Sequence, residues 1–177
     1  MRKLILYTAM SLDGKIAGPD DDVSWLDEVP NPEGSDYGYV DFIANIDTTI
    51  MGNTSYQWVI RQEVPWPYAN TKNYVVTGNQ SLKDNEQVSF INEDHVEFIK
   101  NLKAQPGKDI WLIGGAGVNQ LCLEAGLIDE LRVFLMPVIV GEGVGLFNPE
   151  NNREMLELIH SEVFSSGVIE LRYRPKA

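Results

Sequence analysis

The residues best suited to chemistry in this sequence are small ones at two junctions. Ile110-Trp111-Leu112-Ile113 runs directly into Gly114-Gly115-Ala116-Gly117-Val118, the pattern of an apolar strand that turns through glycines into a helix. The first amides of such a helix have no partner within it, and its dipole favours an anion. Without Cβ atoms the backbone can also come close to a pyrophosphate. The run lacks the full GxGxxG spacing, and a tight packing corner would read the same way. A second junction, Met51-Gly52-Asn53-Thr54-Ser55, offers hydroxyls and amides either as an ordinary helix cap or as a phosphate-binding turn. Ligands of open α/β sheets bind beyond the carboxyl ends of the strands, so two such junctions in one sheet point to a nucleotide cleft.

Carboxylates and aromatics supply the remaining candidates. Asp36 falls in the first turn of a predicted helix, where it either orients a substrate and assists its protonation or only complements the helix dipole. Ser11 and Asp13 follow the first strand and would shape a pocket, although Asp before Gly14 is equally ordinary turn chemistry. Trp25 and Trp58 both read as lid or wall residues, with buried core the better reading for Trp58. The two histidines, His95 and His160, stand far apart outside any catalytic motif and read as packed or solvated. With Cys122 the lone cysteine, neither metal-ligand spacing nor an intrachain disulfide is available, and no metal is expected.

The elements that must carry these residues follow from hydrophobic period and punctuation. Lys3 to Met10 reads as a strand, Asp13 to Asp22 as a loop, and Ser35 as the cap of a helix over Asp36 to Ile46. A strand from Asp47 stops at Gly52, and Asn53 or Thr54 caps a helix that Pro65 and Pro67 end. Tyr74 to Thr77 and Val88 to Ile91 read as strands, Asp94 to Lys103 as a helix, and Glu130 to Met136 as a strand. The chain closes on a hairpin, Leu158 to Phe164 and Val168 to Tyr173, turning at Ser165-Ser166-Gly167. Strands alternating with helices and then strands alone predict one α/β domain over 1–177: a mostly parallel twisted sheet, helices on both faces and an antiparallel edge.

The 177 residues are 44% hydrophobic and 23% charged, the balance of a globular protein that needs no staples. A formal charge of −12 opposes phosphate backbones and anionic lipid, which argues against nucleic acid and membrane as partners. The short apolar run after Arg2 and Lys3 reads as a buried strand rather than a signal segment, so a cytoplasmic protein is expected.

Taken in order, SLDGKIA, MGNTSY, VVTGN, WLIGGAGV and IDELRVFLMPVIVGEG resemble the dihydrofolate reductase-like superfamily, in particular the riboflavin-type reductase domain and its small stand-alone bacterial relatives. The resemblance covers the chain from near Met1 to about Phe147. It implies a nicotinamide-dependent reductase acting on a C=N or C=O of a small substrate, with NADPH as cofactor and NADH as the alternative. A non-catalytic nucleotide-binding protein on the same fold is the second implied reading. Ala9, Ile16 and Ala17 match positions lining the nicotinamide. Gly52, Asn53, Thr54 and Ser55 match the segment on pyrophosphate and ribose, and Thr77, Gly78 and Asn79 the turn beside adenine. Gly114 to Val118 match the glycine turn under nicotinamide and pyrophosphate, and Asp36 the pterin-binding carboxylate. Relatives carry Arg or Lys where this chain has the neutral Asn53, and often a basic residue in place of Asn79, which implies weaker discrimination between NADPH and NADH. Phe134 stands where folate reductases carry Thr. Relatives pair through the closing strands, which implies a homodimer.

Overall fold

The computed structural model describes residues 1–148 and 153–176. Among these described residues ten strands and four α-helices follow one another: β1 (Leu4–Ser11), β2 (Lys15–Ala17), α1 (Tyr39–Ala44), β3 (Ile46–Gly52), α2 (Asn53–Arg61), β4 (Lys72–Val76), β5 (Ser89–Ile91), α3 (His95–Ala104), β6 (Asp109–Gly114), α4 (Ala116–Glu124), β7 (Glu130–Met136), β8 (Val144–Gly145), β9 (Leu156–Val163) and β10 (Ile169–Pro175). The main sheet has the order β5-β4-β3-β6-β1-β7-β10-β9. β5 to β7 across that order pair in parallel, while β10 lies antiparallel to both β7 and β9.

Alternation along the central strands explains why both faces are covered. Leu4 and Leu6 of β1, Ile110 and Leu112 of β6, and Ile50 of β3 enter one core with Ile99 and Leu102 of α3 and Cys122 of α4. Ile5 and Trp111, one residue out of phase, enter the opposite layer with Phe42 of α1. Met51 and Val75 likewise meet Tyr56 of α2. A strand with period-2 side chains that is apolar at every position can satisfy both layers only as the middle of such a sandwich.

The amino ends of the strands are tied by buried cations. The Arg2 guanidinium pairs with the Asp47 carboxylate and donates to Thr48 Oγ1 at 2.6 Å. Lys103 Nζ meets Asp129 Oδ2 at 2.6 Å, and that carboxylate also accepts the Leu4 amide at 2.7 Å. Arg2 and Lys103 are buried, so each needs its partner in place of water. These contacts close the end of the sheet away from the glycine junctions.

Three sequence expectations change. The helix expected over Asp36 to Ile46 begins only at Tyr39, because Tyr37 and Gly38 take positive φ (+53° and +76°) and Ile46 opens β3. The Asp13 to Asp22 loop contains β2, which pairs with β8 in a separate two-stranded ladder that local periodicity could not show. Gly52, in extended conformation, precedes α2 without any side-chain cap, so neither Asn53 nor Thr54 plays that part.

Leu6 is fully buried in the larger core. Truncation to Leu6→Ala should cost about 2–5 kcal/mol, read as a lower urea midpoint with an unchanged slope.

Candidate active site

A cleft of about 720 Å³ lies over the carboxyl ends of β3, β4 and β6. Two helices begin in it. Neither α2, entered from Gly52, nor α4, entered from Gly115, has a side-chain cap, and both are nine residues long. The amides that open each helix are therefore left for a ligand, at the end of the dipole that favours an anion, while the Val118 amide already donates to the Gly115 carbonyl at 3.1 Å. The Gly114–Gly115 peptide is cis. Gly114 has φ +105°, and a Cβ there would stand 3.1 Å from Asn119 Oδ1. Gly115 is extended, and a Cβ on it would lie 3.5 Å from Ser55 Oγ, an ordinary contact. The conformational demand for glycine therefore sits at Gly114, one position before the residue that faces the cleft.

Most of the dinucleotide candidates converge. Ile16 and Ala17 of β2 form one wall, Gly52 to Ser55 and Gly115 to Val118 the floor, and Thr77 with Gly78 the far end. Others do not reach it. Gly114 is buried beneath the turn, and Asn79 is exposed, its Oδ1 accepting from the Ser81 amide and hydroxyl. Ala9 packs beside a separate core of Trp25, Phe134, Met136 and Val168.

The substrate candidates are occupied by structure. Asp13 accepts Ser11 Oγ at 2.7 Å and the amides of Val140 and Gly141 at 3.0 and 2.7 Å. Those bonds, Ser11 foremost, lower its carboxyl to about 2. Ser11 Oγ in turn accepts the Lys15 amide at 2.9 Å, so the pair staples the β1–β2 turn to the segment after β7. Asp36 is exposed and accepts the amides of Val40 and Gly38 at 3.0 Å each, which hold its carboxyl below the usual range. It ends up as a helix-start acid, outside the cleft lining. The two tryptophans exchange roles: Trp25 is core, and Trp58 lines the cleft.

The structure adds Thr8, Ile113, Tyr68 and His95 to the lining. Tyr68 stands edge-on to Trp66 and Trp111, with ring centroids 5.4 and 5.5 Å away. Burial pushes its hydroxyl up to about 12, so it remains a protonated donor at neutral pH. No sequence motif marks it, since it follows the proline-rich break after α2. His95 opens α3, and its Nε2 lies 3.0 Å from the Thr77 carbonyl oxygen. A histidine at a predicted helix start, just after a strand, was the available signal.

Gly114→Ala should lose about 1–3 kcal/mol for the positive φ alone, whereas Gly115→Ala should stay within about 0.5 kcal/mol of the parent. Thermal unfolding of the two variants side by side checks this.

Comparison with known proteins places the chain among relatives of the same length. Residues 2–169 match the RibD C-terminal domain. The uncharacterized proteins YyaP and YwjB of Bacillus subtilis (strain 168) are 37% and 38% identical to it, over 97% and 94% of this chain and 94% and 95% of theirs. A Shewanella sp. PV-4 crystal structure described as a riboflavin biosynthesis protein superposes with a TM-score of 0.87 at 28% identity, covering 99% of both chains. Dihydrofolate reductase from Enterococcus faecalis, solved with NADP(H) and RAB-propyl, shares the fold at a TM-score of 0.69 and 17% identity, over 99% of this chain and 97% of its own. The diaminohydroxyphosphoribosylaminopyrimidine deaminase/5-amino-6-(5-phosphoribosylamino)uracil reductase of Thermotoga maritima does so at 0.71 and 18%, with 99% of this chain matching 57% of that one. The chain belongs to the RibD C-terminal domain family and has the dihydrofolate reductase-like fold.

Proposed function

We propose that the chain is a reductase that transfers hydride from NADPH, or less selectively NADH, to a C=N or C=O of a small heterocyclic substrate. One observation carries this reading: two uncapped helix N-termini open into a single cleft, where their free amides offer an anion site for the phosphates of a dinucleotide. The residues present fit such a group. Asn53 Oδ1 is buried without a hydrogen-bond partner, leaving an acceptor for a ribose hydroxyl, and Gly115 leaves open the space a side chain would fill. The reduced nicotinamide, when bound, supplies the hydride, and the protein's part is positioning and exclusion of water. Ile16 and Ala17 form the wall for the nicotinamide end. Tyr68 takes the substrate-orienting role, donating its hydroxyl proton in a hydrogen bond to the substrate nitrogen or oxygen as negative charge builds there.

The placement of Asp36 outside the cleft favours a second reading, a nucleotide-binding protein without turnover. Cofactor oxidation across a panel of pterin, pyrimidine and ribityl compounds separates the two. Turnover with at least one supports the reductase, and tight dinucleotide binding with none supports the second reading. Within the reductase, Tyr68→Phe should lower kcat about 10- to 100-fold, the worth of one hydrogen bond to a charged group, while cofactor Kd stays put.

We also propose a homodimer formed through the closing strands. The edge strand β9 exposes Leu158, Ile159 and Val163 at 51%, 45% and 73%, an apolar edge of the kind that pairs or aggregates unless covered. Light scattering at micromolar concentration should report a dimer, and Val163→Lys should shift it toward monomer.

A further inference from the structure

Building on the reductase reading, we infer that Asn119 is a positioning residue: it ties the glycine turn to the β2–β8 wall and so sets the width of the slot that takes the nicotinamide. That slot has two sides. Ile16 and Ala17 of β2 with Val144 of β8 line one, and Gly115 to Val118 line the other. The two sides belong to different units, because β2 and β8 form their own two-stranded ladder while Gly115 to Val118 follow β6 of the main sheet. Pairing of β2 with β8 holds the wall together, but it does not fix the distance from that wall to α4.

Asn119 spans that gap. Its backbone amide donates to the Gly115 carbonyl oxygen at 3.0 Å, so its position follows the turn. The side chain, 1% exposed, has a contact on each side. Towards the turn it fills the space beneath Gly114, where an added Cβ would stand 3.1 Å from Oδ1. Towards the wall, Nδ2 donates to the Leu146 carbonyl oxygen at 3.0 Å. Leu146 directly follows β8, and its own amide donates to the Gly14 carbonyl oxygen, 3.3 Å away and just ahead of β2. Gly143, which precedes β8, lies so close to β2 that a Cβ on it would overlap the Ala17 carbonyl oxygen. The wall therefore moves as one piece, and Leu146 is where α4 grips it. Residue type supports the same role. Asn119 Oδ1 is buried without a hydrogen-bond partner among the described residues, a cost that a leucine of similar size would avoid beside Val118 and Cys122 of the same helix, which lie in the larger core. Stability alone asks for the leucine, and the amide is accounted for by its reach to Leu146.

The test is calorimetric titration of the full chain with two matched pairs, NADPH with 2′-phospho-ADP-ribose and NADH with ADP-ribose, the second member of each lacking the nicotinamide. The truncated member reads the grip on adenosine and pyrophosphate, and the ratio of its Kd to that of the dinucleotide reads the slot alone. Asn119→Ala removes both the filling beneath the turn and the tie, whereas Asn119→Leu keeps the volume and removes the tie. In both variants the ratio should fall about tenfold, the worth of one neutral hydrogen bond, while the Kd of the truncated member stays unchanged. If only Asn119→Leu folds, its ratio decides. A ratio equal to the parent's in a folded variant, an equal loss for both members of a pair, or the unfolding of both variants by circular dichroism overturns the inference and leaves the reductase reading intact, because Asn119 is then packing and not a tie. A parent that binds the dinucleotides no more tightly than their truncated partners overturns it as well. Failure of the parent to bind any dinucleotide removes the reductase reading, and this inference with it.

Discussion

The structure depends on the parallel pairing of β3 with β6. Its register sets Met51 opposite Gly114, so the two strands end together and the helices that follow them start as neighbours. The approach is close: a Cβ on Gly52 would stand 3.1 Å from the Val118 side chain, tighter than an ordinary van der Waals contact. Neither helix start would form a site alone. Side by side, with their dipoles pointing into the same space, they make a cradle for paired negative charge in a protein whose overall charge is −12.

What was legible in the sequence was whatever depends on backbone and local pattern. The glycine junctions, the alternation of strands and helices and the closing hairpin needed only small residues, hydrophobic period and turn chemistry, and they stand where those signals put them. Side-chain destinations were not legible in the same way. Asp36 and Asp13 had the residue type of pocket acids, yet each is satisfied by amides, two to four residues on for Asp36 and 127 and 128 residues on for Asp13. The exchange between Trp25 and Trp58 has the same origin. Whether an indole faces core or cleft is decided by β7 and the hairpin for one and by the strand-end geometry for the other, and neither can be read from neighbours in the chain.

Fold and chemistry separate along the same line. Structures at 17% and 18% identity keep the sheet and its order of elements, because the doubly covered strands ask only for apolar residues of suitable size. Beyond the two helix starts, the cleft is lined by Thr8 of β1, Ile113 of β6, Trp58 of α2 and Tyr68 of the loop after it, side chains on which function can differ within one fold.

The β2–β8 ladder has an evolutionary consequence. One wall of the cleft is assembled from two stretches more than a hundred residues apart, joined by short pairing and by the Asp13 staple to Val140 and Gly141 rather than by the main sheet. Lengthening or re-sequencing the turn between β7 and β8 would remodel that wall while the amides of α2 and α4 stay where β3 and β6 hold them. Lineages built on this chain can therefore change that wall without disturbing the two helix starts, an arrangement in which one half of the cleft is inherited and the other is free to vary.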